Sequence, residues 1–388
     1  MPDPKALRRI VETRLPRYLA ELESLVNIDC GSYTPDGVNQ VAALVADELE
    51  ELGADVERVV HESTDGRPQL GDLVIGRLAG DGPRLLLIGH MDTVFDPGTA
   101  AARPYRSNGG RATGPGVTDM KAGLLAGLHA IAALHEAGER PAITFVANPD
   151  EEIGSPFSTP LIRRLAPDHD VALVLECARA NGDIVSARKG IADYHLDLVG
   201  RAAHAGVEPE KGRSAILEAA HQVLALHELN DRWPTVTVNT GVIHGGTRPN
   251  VVPERCELQV DLRAATLGAF DAAAAEVERL ARSPRVEGVT IELRRIAGHP
   301  PMEKTAASAR LVELAVALAA EIGFRLRDAA TGGASDANTT AAQGVPTLDG
   351  LGPVGGDDHS ADEWLDLASV VPRTTLLAGL IGTISQGL

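Results

Sequence analysis

The chain has 388 residues, of which 44% are hydrophobic and only 3% are aromatic, and its formal net charge is −18. This length favours two or three domains. The acidic charge disfavours nucleic-acid binding, which requires a basic face, and no run of about 18 uninterrupted apolar residues predicts a membrane span. Cys30, Cys177 and Cys256 are odd in number and far apart, so we expect no disulfide framework and a reducing, cytoplasmic location.

The first half of the chain alternates helical and strand-like segments. The spacing of Leu7, Ile10, Val11 and Leu15 predicts an N-terminal amphipathic helix. Short apolar runs bounded by polar residues, Gly or Pro are typical of strands buried on both faces of a largely parallel sheet. The predicted strands are 85–88, 143–147 and 171–175, and the predicted helices are 41–52, 121–134 and 160–165. This order predicts an α/β fold.

From about residue 191 the pattern changes to alternating apolar and polar residues. The segments DYHLDLVG (193–200), TVTVNTGV (235–242), CELQVDLR (256–263) and GVTIELRR (288–295) are typical of half-exposed antiparallel strands. Helices are predicted at 214–229 and 267–282. We therefore expect an inserted α+β domain at 191–299, a lid or dimerisation domain with a four-stranded sheet and two helices. It would interrupt an α/β domain formed by 1–190 and 300–388, where a helix resumes near Ala306.

Histidine and carboxylate residues follow the predicted strands or precede the predicted helices. His90 and Asp92 come after the strand at 85–88 and point to the same side. Such a pair can place an acceptor behind a metal-bound imidazole, although one pair establishes nothing alone. Asp119, in GPGVTDMKAG, precedes a helix and is equally suited to cap it.

The segment NPDEEIGS (148–155) ends a predicted strand with the three consecutive acids Asp150, Glu151 and Glu152. Carboxylates crowded together repel one another and lose hydration, so the segment is either a solvated loop or faces a cation. In an extended backbone Glu151 and Glu152 point to opposite sides, so one could bind a metal while the other moves protons. Asp150, after Pro149, is interpreted as a turn residue that is solvated or supports the backbone.

Two further residues complete a candidate metal site. Glu176 lies at the end of the predicted strand in ALVLECAR (172–179), and His359 lies in GLGPVGGDDHSADEWL (350–365), although each could also be an ordinary loop residue. In open α/β sheets functional groups gather beyond the carboxyl ends of the strands. Imidazole and carboxylate without thiolate suit zinc, manganese or cobalt. His90, Asp119, Glu152, Glu176 and His359 are too many ligands for one open tetrahedral zinc, but they suffice for two metals that share a carboxylate.

The motifs GHMDTV, GPGVTDMKAG, NPDEEIGS, GRAAHAG and DDHS occur in an order that resembles the M20 metallopeptidase family, and its glutamate carboxypeptidase branch in particular. The resemblance covers essentially the whole chain. It implies that Glu151 is the general base and Asp92 the partner of His90, and that the peptide bond after Asp119 is cis. The implied metal ligands are Asp119 as the bridge, His90 and Glu176 on one metal, and Glu152 and His359 on the other.

The resemblance also assigns residues of the inserted domain. It implies that His204, in GRAAHAG, crosses a homodimer interface and stabilises the oxyanion in the partner's active site. Asn250 and Arg263 match family positions that hold the free carboxylate of the substrate, although Arg263 could otherwise form an ordinary strand-end ion pair. Gly332 and Gly333, in TGGASDAN, resemble a glycine-rich turn beside the substrate.

The expected function is hydrolysis of an amide bond next to a free carboxylate in a small peptide or an N-acyl amino acid. Two divalent metals, zinc foremost and cobalt or manganese otherwise, are the implied cofactors. Three alternatives stay open: an aminoacylase, deacylase, dipeptidase or aminopeptidase on the same scaffold, a binding protein without activity, and a two-metal phosphoesterase. The resemblance implies that a glutamate at position 176 goes with carboxypeptidase and acylase members, whereas aminopeptidase members tend to have aspartate there. No nucleic-acid or membrane partner is expected.

Overall fold

The computed structural model describes residues 3–63 and 66–387, which form two compact units. Unit 1 contains the described residues of Met1–Ser186, Lys304–Ala330 and Ser335–Leu388, and unit 2 contains Ala187–Glu303 and Thr331–Ala334. The sequence-based boundaries were 190/191 and 299/300. The short segment Thr331–Ala334, predicted to belong to the α/β domain, lies in unit 2. Each unit has its own hydrophobic core.

The described residues form the following elements. The strands are β1 (Asp55–Val59), β2 (Leu73–Leu78), β3 (Asp81–His90), β4 (Arg106–Asn108), β5 (Arg111–Thr113), β6 (Pro141–Asn148), β7 (Val171–Val174), β8 (Ile184–Arg188), β9 (Gly190–Val199), β10 (Ala203–His204), β11 (Thr237–Gly245), β12 (Val251–Val252), β13 (Arg255–Ala264), β14 (Thr290–His299), β15 (Asp328–Thr331), β16 (Thr347–Leu348), β17 (Gly355–Gly356) and β18 (Trp364–Asp366). The α-helices are α1 (Pro4–Val26), α2 (Pro35–Glu51), α3 (Thr99–Ala102), α4 (Ala122–Glu136), α5 (Ser158–Leu165), α6 (Ala215–His227), α7 (Leu267–Ala281), α8 (Ala306–Ile322), α9 (Asp336–Ala342) and α10 (Leu367–Ser385).

The central sheet of unit 1 has the strand order β1-β2-β6-β3-β7-β16. β3 pairs in parallel with both β6 and β7, and β16 pairs in parallel with β7. β1 and β2 add an antiparallel edge. The mostly parallel sheet is therefore confirmed, and the carboxyl ends of β3, β6 and β7 lie at one edge of it.

Two helices of unit 1 are apolar all round. The stretches Val117–Glu136 and Leu367–Ser385 are long and apolar enough to cross a membrane, but 94% and 83% of their apolar windows are buried inside the protein. Helices that are hydrophobic on every face are typical of the core of a large domain. The predicted N-terminal helix is also present as α1, with Leu7 and Val11 fully buried.

Unit 2 contains a four-stranded antiparallel sheet of order β11-β13-β9-β14, as predicted. Alternate residues of β9 are buried, and α6 and α7 pack on this sheet. A separate two-stranded ladder joins β10 to β12 and sets His204 opposite Val251.

Candidate metal centre

The parallel strands of unit 1 bring several of the predicted ligands to one edge of the sheet. His90 is the last residue of β3, opposite Asn148 at the end of β6. Glu176 follows the end of β7 by two residues. Both side chains are almost fully buried, at 1% and 8% exposure. Their convergence follows from the parallel pairing, because parallel strands end at the same edge.

Asp119 reaches this edge from a tight turn before α4. The backbone enters the turn through Gly116 in the left-handed region, with φ 70°, and a Cβ there would lie 2.5 Å from the Thr93 Cγ2 atom. The peptide bond between Asp119 and Met120 is cis, which confirms that feature of the resemblance. The helix predicted at 121–134 begins as the regular α4 at Ala122, directly after a kink at which Asp119 and Met120 have non-helical backbone angles.

The two carboxylate oxygens of Asp119 face two different imidazoles. Oδ1 lies 3.2 Å from His90 Nε2, and Oδ2 lies 3.1 Å from His359 Nε2. Glu176 Oε1 is 3.8 Å from His90 Nε2, and Glu152 Oε2 is 3.2 Å from His359 Nε2. The structure therefore brings all five predicted ligands together, and it places Asp119 between the His90–Glu176 pair and the His359–Glu152 pair.

The charges at this site are those of a cation site. Hydrogen bonds to the carboxylates of Asp119 and Glu152 raise the pKa of His359 to about 11. Burial lowers the pKa of His90, but hydrogen bonds to Asp119 and Asp92 outweigh it and raise that pKa well above its usual range. Both shifts show that the surrounding carboxylates favour a positive charge at each imidazole, which a divalent cation can supply in place of a proton. The oxygen and nitrogen donors suit zinc, manganese or cobalt.

Glu151 and Glu152 lie in a 3₁₀ turn, Glu151–Ile153, so the assumption of an extended backbone there was wrong. The turn still directs the two side chains to different places. Glu152 faces His359, while a Glu151 oxygen lies within 4.8 Å of the ligand atoms of His90 and Glu176. Burial and the charge of Glu176 raise the pKa of Glu151 well above its usual range. A carboxylate with a raised pKa is suited to accept and return a proton near neutral pH.

Asp92 connects the strand end to this turn. Its Oδ1 and Oδ2 atoms accept hydrogen bonds from the backbone N–H groups of Glu151 and Glu152, both at 3.1 Å. The Ser32 hydroxyl donates to Oδ2 at 2.6 Å. The His90 Nδ1 atom lies 3.0 Å from the backbone oxygen and 3.3 Å from Oδ1 of Asp92. Asp92 thereby orients the imidazole so that Nε2 faces Asp119.

Asp150 differs from the interpretation of a solvated turn residue, because its side chain is fully buried. It supports the backbone, as the alternative interpretation proposed. It accepts hydrogen bonds from the Phe157 N–H at 2.6 Å and from the Ser158 N–H and hydroxyl. Burial raises its pKa to about 6. Asp150 thus closes the loop that carries Glu151 and Glu152.

Two buried acids beside the site were not identified from the sequence. Glu363 accepts hydrogen bonds from the N–H groups of Gly116, Thr118 and Asp119, at 2.8, 2.9 and 3.1 Å. Asp336 accepts from the Asn148 amide and from the Ser155 hydroxyl, the latter at 2.7 Å. Burial raises the pKa of each to about 7. The one available signal was the position of each acid inside a motif already noted, DDHSADEWL and TGGASDAN.

Unit 2 contains the remaining candidates in two places. His204 and Asn250 come together at the β10–β12 ladder, where the Ala205 N–H donates to the Asn250 carbonyl at 3.0 Å. The Gly206 N–H donates to His204 Nδ1 at 3.1 Å, so the neutral ring carries its proton on Nε2.

Arg263 and Gly333 lie at the second place. The Arg263 guanidinium bonds both carboxylate oxygens of Asp261 and donates to the Gly332 carbonyl at 2.8 Å. Arg188 donates to the Gly333 carbonyl at 3.2 Å. Arg263 therefore forms the ion pair that the sequence left open as an alternative, and its partner is Asp261.

Known proteins are similar to this chain in sequence and in fold. The model of "Peptidase family M20/M25/M40" matches residues 86–383. Carboxypeptidase G2 of Pseudomonas sp. (strain RS-16) is 33% identical over 378 residues, covering 96% of this chain and 90% of that protein. Succinyl-diaminopimelate desuccinylase of Leptothrix cholodnii is 28% identical, covering 88% and 92%. The solved aminopeptidase PepT of Bacillus cereus superposes with a TM-score of 0.79 at 24% identity, covering 95% and 98%, and shows the fold alone. The chain is an enzyme that belongs to peptidase family M20/M25/M40.

Proposed function

We propose that the protein is a di-metal hydrolase that cleaves an amide bond next to a free carboxylate, as a carboxypeptidase of the glutamate carboxypeptidase type. The observation that carries the proposal is the position of Asp119, whose two oxygens face the His90–Glu176 pair and the His359–Glu152 pair. Those five side chains would hold two divalent ions, zinc foremost and cobalt or manganese otherwise. When bound, such ions lower the pKa of a water molecule and stabilise developing negative charge.

The chain's own residues would move the protons. Glu151, beside His90 and Glu176, accepts the proton of the attacking water and then gives it to the departing nitrogen. Burial and the charge of Glu176 raise the pKa of Glu151, which favours a residue that accepts a proton and returns it. Asp92 fixes the backbone of Glu151 and the ring of His90, so both keep their positions while charge redistributes.

Residues of unit 2 would bind the substrate. His204 carries its proton on Nε2, which suits it as a donor to the oxyanion. Asn250 and Arg263 would hold the free carboxylate of the substrate. Three of the five guanidinium N–H groups of Arg263 bond Asp261 and Gly332, which leaves two for a carboxylate. Gly333 would line the same substrate-binding turn.

We also propose a homodimer in which His204 acts in the partner's active site. β11 is an edge strand with Ile243 exposed, and Leu217 and Leu224 are exposed on α6. Mixing Glu151→Gln with His204→Ala tests this role. Mixed dimers then contain one complete site and regain activity that neither variant has alone, whereas a mixture that stays inactive contradicts action across an interface.

A cytoplasmic location is proposed as well, because all three cysteines are free and buried.

A second candidate is an amidohydrolase for N-acyl amino acids, which the similarity to a desuccinylase supports. The deciding experiment is a screen of the metal-reconstituted enzyme with dipeptides and N-acyl amino acids, each with a free and an amidated C-terminus. Cleavage of the free acids at least about tenfold faster in kcat/KM supports the proposed function. Equal cleavage of both forms contradicts the roles of Asn250 and Arg263.

A further inference from the structure

Residues 148–155, called the Glu151 loop below, begin and end on side chains that bond the same carboxylate. Asn148, the last residue of β6, donates its side-chain amide to Oδ2 of Asp336. The Ser155 hydroxyl donates to Oδ1 of Asp336 at 2.7 Å. Asn148, Ser155 and Asp336 are each 2% exposed or less. One buried carboxylate therefore holds both ends of the loop.

Asp336 belongs to α9, which lies far along the chain from the Glu151 loop. It is the first residue of this helix, 181 positions after Ser155. Its neighbour Ser335 caps α9 by accepting the Ala337 N–H at 3.1 Å and donates its hydroxyl to Asp349 at 2.6 Å. The helix also packs against α5, β7 and β16. Asp336 thus anchors the loop to an element that is itself fixed by other contacts.

At the first end of the loop, the Asp336 bond reaches the backbone next to Glu151 through one amide. The Asn148 amide donates to Asp336 through Nδ2 and accepts the Asp150 N–H through Oδ1 at 3.3 Å. Asp92 accepts the Glu151 N–H at 3.1 Å, one residue further on. Asp336 therefore orients an amide that holds the residue directly before the proposed base.

At the other end, Ser155 has a backbone conformation that needs support. Its φ is 54°, in the left-handed region that residues other than glycine rarely adopt. The Ser155 N–H donates to the Asp150 carbonyl at 2.8 Å, and its hydroxyl bonds Asp336. Loss of the Asp336 carboxylate would leave the buried Ser155 hydroxyl and Asn148 amide without this acceptor, so the loop would gain by moving.

We propose that Asp336 is a positioning residue for Glu151, which it holds in place through Asn148 and Ser155. This inference rests on the proposed function, in which Glu151 accepts the proton of the attacking water. Misplacement of a catalytic group by about 1 Å can cost a factor of about 100 in rate. Removal of the Asp336 carboxylate should therefore lower kcat, whereas KM should change little because the proposed carboxylate-binding residues belong to unit 2.

The first test is Asp336→Leu, which removes both acceptor oxygens at similar size. It uses the metal-loaded enzyme, with metal content determined on the same sample, and a substrate that the screen shows to be cleaved. We expect kcat to fall about thirtyfold or more and KM to stay within about threefold of wild type. In a Glu151→Gln background the same change should lower kcat by less than about threefold, because the base that Asp336 positions is already absent.

Asp168→Asn is the matched control, because Asp168 is an exposed acid in the 3₁₀ turn after α5. Its kcat should equal that of wild type. A kcat of Asp336→Leu within about threefold of wild type overturns the inference. An equally large fall in the wild-type and Glu151→Gln backgrounds also overturns it, since Asp336 would then act by another route.

An exchange of the two partners keeps the test decisive if Asp336→Leu does not fold. Asn148→Asp sets two carboxylates against each other and should lower kcat about thirtyfold. Adding Asp336→Asn restores the hydrogen bond with donor and acceptor exchanged, and should regain at least about tenfold in kcat. A double variant that is no faster than Asn148→Asp alone overturns the inference.

If wild type cleaves no substrate of the screen, the proposed function is wrong, and hydrogen exchange of the Glu151 N–H tests the role of Asp336 separately. Asn148→Asp should speed this exchange about tenfold or more, because the Glu151 loop opens more often. The double variant with Asp336→Asn should return the exchange rate towards that of wild type. An exchange rate that Asn148→Asp leaves unchanged overturns the inference.

Discussion

Asp119 is the residue at which the two halves of the candidate centre meet, and its position depends on a neighbour far along the chain. Glu363 uses both carboxylate oxygens to accept the N–H groups of the turn before and at Asp119. The Glu363 side chain is 1% exposed, so water cannot replace these bonds. Glu363 is thus a positioning residue for Asp119.

Glu363→Gln should weaken metal binding and lower kcat/KM by about tenfold or more, because an amide nitrogen cannot accept the hydrogen bonds that an oxygen accepted. Leaving buried N–H groups unsatisfied costs about 1–3 kcal/mol. Metal content after dialysis against a weak chelator measures the weakening of metal binding. At low temperature the variant stays folded, so a loss of metal there would not be explained by a lower free energy of unfolding alone. Asp362→Asn, at an exposed neighbour, should behave as wild type. Wild-type metal retention in Glu363→Gln would contradict the positioning role.

The sequence predicted the candidate metal ligands better than it predicted the residues that hold those ligands and their loops in place by hydrogen bonds. His90 and Glu176 are recognisable because a polar residue after an apolar run is unusual, and Asp119 because it follows a Gly/Pro-rich turn just before a helix. Glu363 gives no such signal, since its partners lie 244 to 247 positions away and bonds over that distance depend on the folded chain. For Asp150, the prediction of a solvated side chain was wrong and the prediction of backbone support was confirmed. Its partners Phe157 and Ser158 reach it only when the loop folds back, which the sequence does not show.

At the scale of elements, periodicity predicted the strands well and the helix ends less well. The run 143–147 lies inside β6 (Pro141–Asn148), and the run 171–175 nearly coincides with β7. α2 begins at Pro35, six residues before the predicted start. Its first turn contains Gly37, which passes so close to Asp29 that a Cβ would lie 1.7 Å from the Asp29 carbonyl oxygen. That close packing depends on tertiary structure and leaves no periodic pattern.

An ion-pair cluster in unit 2 joins α7 to the turn before β11. Glu276 bonds Arg279 on its own helix and Arg232 on the turn. These hydrogen bonds, with Arg279 first, lower the pKa of Glu276 to about 2. A lowered pKa means that the pair stabilises the fold above the ordinary pKa and that this stabilisation is lost as the pH falls towards 2.

Glu276→Gln should therefore lower the free energy of unfolding at neutral pH by about 1 kcal/mol or less, because solvent screens such pairs. The difference in the free energy of unfolding between the variant and wild type should become smaller as the pH falls from about 5 to about 3. Urea unfolding at several pH values measures this difference, and Asp271→Asn, at an exposed position on the same helix, is the control. A difference that grows on acidification would contradict the assignment.

At the scale of the whole molecule, aromatic residues contribute little and two aliphatic cores carry the packing. The larger core includes Leu85, Leu87, Phe145 and Leu173 beneath the candidate metal centre. The sheet edge above it concentrates buried carboxylates, which repel one another without a cation. Metal binding should therefore stabilise the folded chain.

Chelation should lower the melting temperature by several degrees, and added zinc should restore it. Free metal at 100 times its Kd adds about 2.7 kcal/mol of stability per site. Calorimetry of the metal-loaded and chelator-treated protein measures the shift, and Asp119→Asn should reduce it because the variant keeps a single carboxylate-like oxygen. An unchanged melting temperature after removal of all metal would contradict a cation role for this edge.

The proposed mechanism depends most on Glu151, which would carry the proton beside two metal ions. The direct test is the turnover of Glu151→Gln after metal loading, with metal content determined on the same sample. We predict two metal ions per chain in both proteins and a fall in kcat of about a thousandfold or more in the variant, because the amide cannot accept the proton of water. A metal-loaded Glu151→Gln that turns over within about tenfold of wild type would contradict the account.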